Sequence, residues 1–169
     1  RNSFPTAAID RTSGTYANNV YVAWADSRNG DPDIYFARST NGGLTWSAPL
    51  PLNTNAASDS GIDRSPDVTT DRGGTWVATW ISGDSLGGTI GTDEDILVAR
   101  STNGGLTWSP PVPLNANAAT DTGNDIAPNV VTDRNGTWLA TWYSRDDLGG
   151  TIGTDADILL VRSTDGGIT

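Results

Sequence analysis

A 62-residue repeat is the feature of this sequence that most constrains its fold. The octapeptide STNGGLTW occupies residues 39–46 and 101–108, and a third copy, STDGGIT, begins at Ser163. The copies start 62 residues apart, and residues 39–100 share 44 identities with residues 101–162. Similarity at a fixed period indicates one structural unit that is duplicated along the chain and stacks against its copies.

Each unit is predicted to be a β-meander. Stretches such as PDVTTD, TWVATWIS and DILVARS have strand composition and are separated by turn signals, with no helical period between them. Units 1 and 2 therefore have four antiparallel strands, A to D, and unit 3 has strands A to C. The predicted blades are 1–53, 54–115 and 116–169. Because such a unit cannot cover both of its own faces, we predict an all-β fold of about two and three-quarter β-propeller blades.

The composition narrows the possible chemistry. The chain has 20 acidic and 10 basic residues, a net charge of −10, and no His or Cys. These absences exclude Ser-His-Asp catalysis, Cys-His catalysis and an ordinary zinc site, so a metal would be held by oxygen, which favours calcium. The negative charge argues against a nucleic-acid partner. No run of about 18 apolar residues is present, so we expect no membrane span.

The octapeptide resembles the Asp box, or BNR motif, Ser-x-Asp-x-Gly-x-Thr-Trp, of sialidase-like β-propellers. Asn41 and Asn103 stand at the Asp position of the first two copies, and Asp165 keeps the acid in the third. The resemblance implies a secreted or cell-surface protein with a six-bladed ring. Remaining blades of the same chain, or a second copy, would close that ring. The resemblance also places the octapeptides on the face opposite the active site.

The residue types of the octapeptide indicate a structural role. Gly43 permits the positive φ of a tight C–D turn, Asn41 can accept backbone N–H bonds, and Trp46 can pack a large apolar area within the blade. The predicted Asp-box residues are Ser39, Asn41, Gly43, Thr45, Trp46, Ser101, Asn103, Gly105, Thr107, Trp108, Ser163, Asp165, Gly167 and Thr169. One repeat position beside the box holds three arginines that we interpret as structural: Arg38, Arg100 and Arg162.

Acidic loops at the other end of the blades supply candidate metal ligands. Segments such as DSGID and DTGND combine spaced Asp with Gly, a partial calcium-loop pattern, because short carboxylates can converge on a hard cation. The candidate ligands are Asp59, Asp63, Asp93, Asp95, Asp121, Asp125, Asp155 and Asp157, and the unit 1 counterparts are Asp31 and Asp33. The alternative interpretation is that these residues only form turns and begin strands.

Three residues depart from the repeat near the predicted mouth: Arg64, Tyr143 and Arg145. By resemblance, the segment DRSP places Arg64 where sialidases carry an arginine that holds the substrate carboxylate. Asp84 and Asp93 lie in the loop that carries the family's catalytic acid, but that loop recurs in unit 3. Arg64, Asp84 and Asp93 are therefore weak catalytic candidates. Arg64, Tyr143 and Arg145 are candidate ligand contacts, and ordinary surface variation is the alternative for each.

The near-regular repeat favours a non-catalytic scaffold that binds carbohydrate or protein, with calcium as a candidate stabilising ion. Catalysis would require the blades to differ from one another. The alternative is part of an exo-sialidase or another glycoside hydrolase, whose Tyr, Glu and two further Arg would lie outside this segment. A second alternative is a structural surface protein built from repeats.

Overall fold

The computed structural model describes residues 4–153 and 155–167, which form three antiparallel β-sheets. Within these ranges no helix is long and apolar enough to cross a membrane. The strands are β1 (Thr6–Ile9), β2 (Val20–Asp26), β3 (Asp33–Ser39), β4 (Leu50–Pro51), β5 (Asp63–Thr70), β6 (Trp76–Ser82), β7 (Asp95–Ser101), β8 (Val112–Pro113), β9 (Asp125–Thr132), β10 (Trp138–Ser144) and β11 (Asp157–Ser163). Thr169, predicted as the end of the third Asp box, lies outside the described residues.

Each sheet is a meander in which strands pair in chain order. The orders are β1-β2-β3-β4, β5-β6-β7-β8 and β9-β10-β11. The predicted all-β fold of propeller blades is confirmed: two blades have four strands and the third has three. The strands of each sheet fall inside one of the segments 1–53, 54–115 and 116–169, whose boundaries stay a prediction.

The three sheets pack face to face, and within residues 4–153 and 155–167 only the middle blade is covered on both sides. All seven residues of β6 are buried, whereas buried and half-buried residues alternate along β10. A strand with both faces covered is buried throughout, and a strand with one covered face alternates. The fully buried Trp76 and Trp80 lie in the resulting core. Burial thus follows the stacking expected of propeller blades.

The face of blade 3 turned away from blade 2 carries exposed apolar side chains. These are Val131, Ile158 and Leu160, of which Ile158 is 71% exposed. They stand in register with the half-buried positions of β10, which alternate with the residues that face blade 2. Exposed apolar surface on a sheet face is typical of a contact surface.

The octapeptide forms the C–D turn of blades 1 and 2. In blade 1, Ser39 Oγ accepts the Gly43 N–H at 2.8 Å, and Asn41 Oδ1 accepts the Thr45 N–H at 2.9 Å. Gly43 has a φ of 91°, a conformation that glycine adopts at no steric cost. The side chains therefore supply the hydrogen bonds that a turn of this length lacks in its own backbone.

The tryptophan of the second octapeptide reaches the preceding blade. Trp108 is half-buried, and its ring meets Phe36 of blade 1 edge to face with centroids 6.1 Å apart. Trp46, which has no preceding blade among the described residues, is 45% exposed. Trp46 Nε1 donates to the Gly43 carbonyl of its own turn at 3.1 Å, and the expectation that this ring packs within its blade stays a prediction.

The repeated arginine beside the octapeptide links neighbouring blades. Arg100 Nε donates to the Gly166 carbonyl of blade 3 at 2.6 Å, and Arg38 Nη1 lies 3.5 Å from the Gly104 carbonyl of blade 2. Each arginine thus reaches the C–D turn of the next blade. This contact gives a physical reason for the structural interpretation of this repeat position.

A bulge interrupts strand A in blades 2 and 3. In blade 2, Arg64 pairs with Ile81 and Asp67 pairs with Thr79, so Ser65 and Pro66 together stand opposite one residue. Ser65 has a φ of 53°, which is uncommon for a residue other than glycine. Bulges often occur beside functional sites because they redirect neighbouring side chains. Here the bulge adjoins Arg64.

Candidate functional site

Two acidic clusters lie at the junctions between successive blades. The junction 1 cluster consists of Asp31, Asp33 and Asp59, and the junction 2 cluster consists of Asp93, Asp95 and Asp121. In each cluster one carboxylate oxygen from every member lies within 4.8 Å of the others. The two clusters are related by the 62-residue repeat.

Each cluster joins the entry to strand C of one blade to the loop that leads into the next blade. At junction 1, Asp33 begins β3, and Asp59 lies in the loop before β5. The Asp63 N–H, at the start of β5, donates to the Pro32 carbonyl at 2.7 Å and holds the two segments together. The carboxylates therefore converge because the blade junction brings their backbones into contact.

Asparagine amides hold the junction 1 carboxylates in place. Asn53 Nδ2 donates to Asp33 at 2.9 Å and to Asp63 at 2.8 Å. Asn55 Nδ2 donates at 2.7 Å to both Asp59 and Asp84. Four carboxylates thus share these two amide groups as donors.

The same arrangement recurs at junction 2. Asn115 Nδ2 donates to Asp95 at 2.8 Å and to Asp121 at 3.1 Å. Asn117 Nδ2 donates to Asp121 at 3.0 Å and also to Asp146. Sequence reasoning missed these asparagines, although the segments LNTN and LNAN repeat them at the same position of two units.

Several buried oxygens of these clusters have no hydrogen-bond partner among the described residues. At junction 2 these atoms are Asp93 Oδ2, Asp95 Oδ2, Asn115 Oδ1, Asp121 Oδ1 and Asp125 Oδ1. The junction 1 set is Asp31 Oδ2, Asp33 Oδ2, Asn55 Oδ1, Asp59 Oδ1 and Asp63 Oδ1. Buried polar atoms in native proteins normally have a partner, so each orphaned oxygen requires an explanation.

Burial and mutual repulsion raise the pKa of the clustered carboxyls. Burial raises the pKa of Asp63 to about 8 and that of Asp95 to about 7. Burial, with the neighbouring carboxylates adding to it, raises the pKa of Asp59 and Asp125 to about 6. Without a positive charge beside them, these groups are disfavoured as anions. The clusters thus combine convergent oxygens with an electrostatic need for a cation.

The predicted ligands of blade 3 do not belong to a cluster of this kind. Asp155 is exposed and Asp157 is half-buried at the start of β11. Among residues 4–153 and 155–167, no loop corresponding to that of Asp59 or Asp121 lies beside them. The structure therefore brings together six of the ten predicted acidic positions in its two clusters and places Asp63 and Asp125 beside them.

A cavity of about 340 Å³ is lined by all three candidate ligand contacts, Arg64, Tyr143 and Arg145. We call it the Tyr143 pocket. Its lining residues are Arg64, Glu94, Asn124, Ile126, Ala127, Tyr143 and Arg145. They come from the ends of strands A and B and from the adjoining loops in blades 2 and 3. Their position at one end of the blades, opposite the octapeptide turns, fits the predicted mouth.

Arg64 is already paired within this pocket. Its Nη2 lies 2.7 Å from both carboxylate oxygens of Glu94, and its Nε donates to Oε1 at 3.1 Å. Such a bidentate pair fixes both side chains in one geometry. The Arg145 guanidinium is exposed and has no hydrogen-bond partner within the described part of the chain.

The weak catalytic candidates do not gather in one place. Arg64 lines the Tyr143 pocket, Asp84 accepts a hydrogen bond from Asn55 near the junction 1 cluster, and Asp93 belongs to the junction 2 cluster. Glu94 is the pocket's one carboxyl among the described residues. Both retaining and inverting glycosidases ordinarily use two carboxyl groups that flank the scissile bond. The described residues thus form a polar pocket with an aromatic wall rather than a carboxyl pair.

Comparisons with known proteins place the fold among propeller enzymes that act on carbohydrates. No protein-family model matches the chain, and no curated protein matches it in sequence. In structure, the chain is similar to the Hadza microbial sialidase Hz136, with a TM-score of 0.68 and 16% identity over 98% of this chain and 35% of that one.

Two further solved structures are similar over nearly the whole chain. One is the α-L-arabinanase of Penicillium chrysogenum complexed with arabinobiose, with a TM-score of 0.58, 16% identity, and coverage of 95% of this chain and 46% of that one. The other is the GH93 α-L-arabinofuranosidase of Fusarium graminearum, with a TM-score of 0.60, 17% identity, and the same coverage. At these identities the similarity shows the fold. The chain spans between about a third and a half of the length of these neighbours.

Proposed function

We propose that this chain is part of a glycoside-hydrolase-like propeller and that this segment binds carbohydrate in the Tyr143 pocket without hydrolysing it. The observation that carries the proposal is the composition of the pocket: Tyr143, Arg145, Asn124 and the Arg64–Glu94 pair line one cavity. An aromatic ring offers an apolar face to a sugar ring, while amide, carboxylate and guanidinium groups can bond to its hydroxyls. Ligand sites combine apolar surface with a few such polar groups.

The absence of a second carboxyl from the described pocket supports a binding role over a catalytic one. The carboxylate of Glu94 is held by Arg64 in a bidentate pair, so it is engaged in a hydrogen-bonded ion pair. The Arg145 guanidinium can donate to a hydroxyl or a carboxylate of the ligand.

A glycan-binding experiment tests this proposal with the natural protein. We expect binding to immobilised glycans, and we expect Arg145→Ala to weaken it by about tenfold, equivalent to about 1.4 kcal/mol. Tyr143→Ala should weaken it as well. Arg11→Ala, which removes an exposed arginine from the A–B loop at the opposite end of blade 1, should leave binding unchanged. Equal binding by Arg145→Ala and the parent would refute the proposal.

An enzyme is the second candidate function because the solved neighbours include a sialidase and arabinan-degrading enzymes. In that case the remaining catalytic residues would belong to blades outside this segment. The same preparation can be assayed with a fluorogenic sialoside and a fluorogenic arabinofuranoside. Hydrolysis that is lost in Glu94→Gln, which preserves the shape of the side chain, would favour the enzyme over the binding scaffold.

The remaining proposals concern the rest of the protein. The octapeptides are Asp boxes, supported by the Ser and Asx hydrogen bonds in their turns. The oxygen-only donors of the two junction clusters favour calcium as their ion. Further blades of the same protein cover the exposed outer faces, as blades 1 and 3 cover blade 2. The protein acts outside the cell or at its surface, where its glycan ligands are displayed.

A further inference from the structure

The walls of the Tyr143 pocket and the junction 2 cluster are built from the same backbone segments. Glu94 lies between Asp93 and Asp95, and Asn124 directly precedes Asp125. Successive side chains on extended backbone point to opposite sides. Asp93 and Asp95 therefore face the cluster, while Glu94 and Asn124 line the pocket.

Hydrogen bonds connect these segments to one another. The Asp125 N–H donates to the Glu94 carbonyl at 2.6 Å, and the Arg145 N–H donates to the Asn124 carbonyl at 3.2 Å. The Glu94 N–H also lies 3.3 Å from Asn124 Oδ1. Asp146, the residue after Arg145, accepts the amide of Asn117 beside the cluster. A displacement of the clustered carboxylates thus moves the pocket walls as well.

A buried side chain outside the carboxylate triad points to a ligand at the junction 2 cluster. Asp125 is 1% exposed, lies close enough to Asp121 for the two carboxylates to repel each other, and its Oδ1 has no partner in the described ranges. The Nδ2 of Asn115 faces the cluster, since it donates to both Asp95 and Asp121, so its Oδ1 lies on the other side of the amide group. A hard cation would bind the orphaned carboxylate oxygens and offset their charge.

We propose that calcium bound at the junction 2 cluster holds the backbone segments of the Tyr143 pocket in the positions required for binding. The calcium itself does not contact the carbohydrate. This inference rests on the proposed function of the pocket. The ion joins blade 2 to blade 3 through Asp95 and Asp121, and the pocket residues Glu94, Asn124 and Arg145 follow the position of that junction. Ligand affinity therefore depends on calcium through the blade junction.

The junction 1 cluster provides a matched control. It has the same carboxylates at the same repeat positions, but Pro32, Ile62 and Gly83 stand where junction 2 has Glu94, Asn124 and Arg145. Calcium at junction 1 would join blades 1 and 2 without a polar pocket of this kind above it. The substitutions Asp59→Asn and Asp121→Asn remove equivalent carboxylates from the two clusters while preserving side-chain shape.

The experiment compares the natural protein with Asp59→Asn and Asp121→Asn in calcium and in EDTA. Isothermal titration with calcium chloride should show one bound ion fewer in each variant than in the parent. In the parent and in Asp59→Asn, EDTA should weaken glycan binding by about tenfold, within the usual range for coupled sites. Asp121→Asn should bind glycan weakly with or without calcium. Equal loss of glycan binding in both variants would refute the specific role of junction 2.

Amide hydrogen exchange separates this inference from the proposed function. Calcium should slow exchange of the Asp125 and Arg145 amides in the parent and in Asp59→Asn, but not in Asp121→Asn. This result is expected even if no glycan binds, in which case only the proposed function fails. If calcium binds and these amides exchange at an unchanged rate, the coupling is wrong. If no calcium binds at either junction, the whole inference is wrong.

Folding of the variants is checked in EDTA. Because Asp121→Asn removes one charge from a crowded, buried cluster, its Tm without calcium should be no lower than that of the parent. Its Tm should then fail to rise by as much as the parent's when calcium is added. A variant that is already unstable in EDTA would show that Asp121 supports the junction without an ion, which would overturn the proposal.

Discussion

The ring of Tyr16 lies between two glycines of the neighbouring blade. A Cβ atom added to Gly74 would come within 2.4 Å of Tyr16 Cε2, and one added to Gly104 would come within 2.3 Å of Tyr16 Cε1. These atoms are on opposite edges of the ring, so the ring cannot slide away from one glycine without approaching the other. We therefore predict that Gly74→Ala destabilises the contact between blades 1 and 2.

The magnitude has two parts that can be separated. Gly74 has a φ of 108°, and a side chain in a left-handed conformation costs about 1–2 kcal/mol. Carbon atoms in contact are optimally separated by about 3.5–4.0 Å, so the added methyl group would also clash with the Tyr16 ring. This overpacking lowers the free energy of unfolding by about 1–3 kcal/mol. The total expected loss in the free energy of unfolding is about 2–5 kcal/mol.

Gly136 is the matched control because it occupies the same turn one blade later. Its φ is 103°, but a Cβ atom there would meet nothing within 4 Å. Gly136→Ala should therefore lose only the backbone part. For a chain of this length, the difference between the two variants corresponds to about 2–12 °C in Tm.

The assay is thermal and urea unfolding followed by circular dichroism on the parent, on Gly74→Ala, Gly136→Ala and Tyr16→Ala, and on the double variant Tyr16→Ala/Gly74→Ala. In the Tyr16→Ala background, Gly74→Ala should lower the free energy of unfolding by no more than Gly136→Ala does in the parent. Equal destabilisation by Gly74→Ala and Gly136→Ala in the presence of Tyr16 would refute the packing argument.

Two remaining predictions concern contacts between blades. Asp67 accepts hydrogen bonds from Thr6 Oγ1 of blade 1 at 3.2 Å and from the Val130 N–H of blade 3 at 2.8 Å, so Asp67→Ala should lower the free energy of unfolding by about 1.5–3 kcal/mol. Asp67→Asn, which keeps an acceptor oxygen, should lose less, and equal losses in urea denaturation would contradict this explanation. If further blades of the same chain cover the outer faces, the natural protein should sediment as a monomer. A stable dimer would instead indicate closure by a second copy.

The sequence predicted the blades well because the repeat and the strand composition both indicate equivalent β-units. Stretches such as DILVARS are β-prone on their own, and their recurrence at a fixed period shows that each belongs to an equivalent unit. The packing partner of the octapeptide tryptophan was harder to predict. A sequence shows that Trp108 is large and apolar, but whether it packs on its own blade or on Phe36 depends on the relative placement of two sheets.

The metal candidates were predicted by residue type, whereas their grouping required the fold. Spaced Asp residues suggested that Asp59 and Asp63 act together from one loop. The structure instead joins Asp59 to Asp31 and Asp33, which lie more than twenty residues earlier in the chain. Asn53, which donates to the carboxylates, recurs as Asn115, but recurrence alone does not show that an amide faces a carboxylate.

The acidic clusters and the Tyr143 pocket differ in how closely their residues follow the 62-residue repeat. The cluster residues follow the repeat, because Asp33 and Asp95 perform the same task at successive blade junctions. The pocket residues depart from it: Tyr143 and Arg145 stand where blade 2 has Ile81 and Gly83. A duplicated unit can keep its junctions and still acquire a ligand site, because neighbouring positions on one strand end face different sides. Adherence to the repeat therefore marks the scaffold, and departure from it at a strand end marks the position at which specificity can arise.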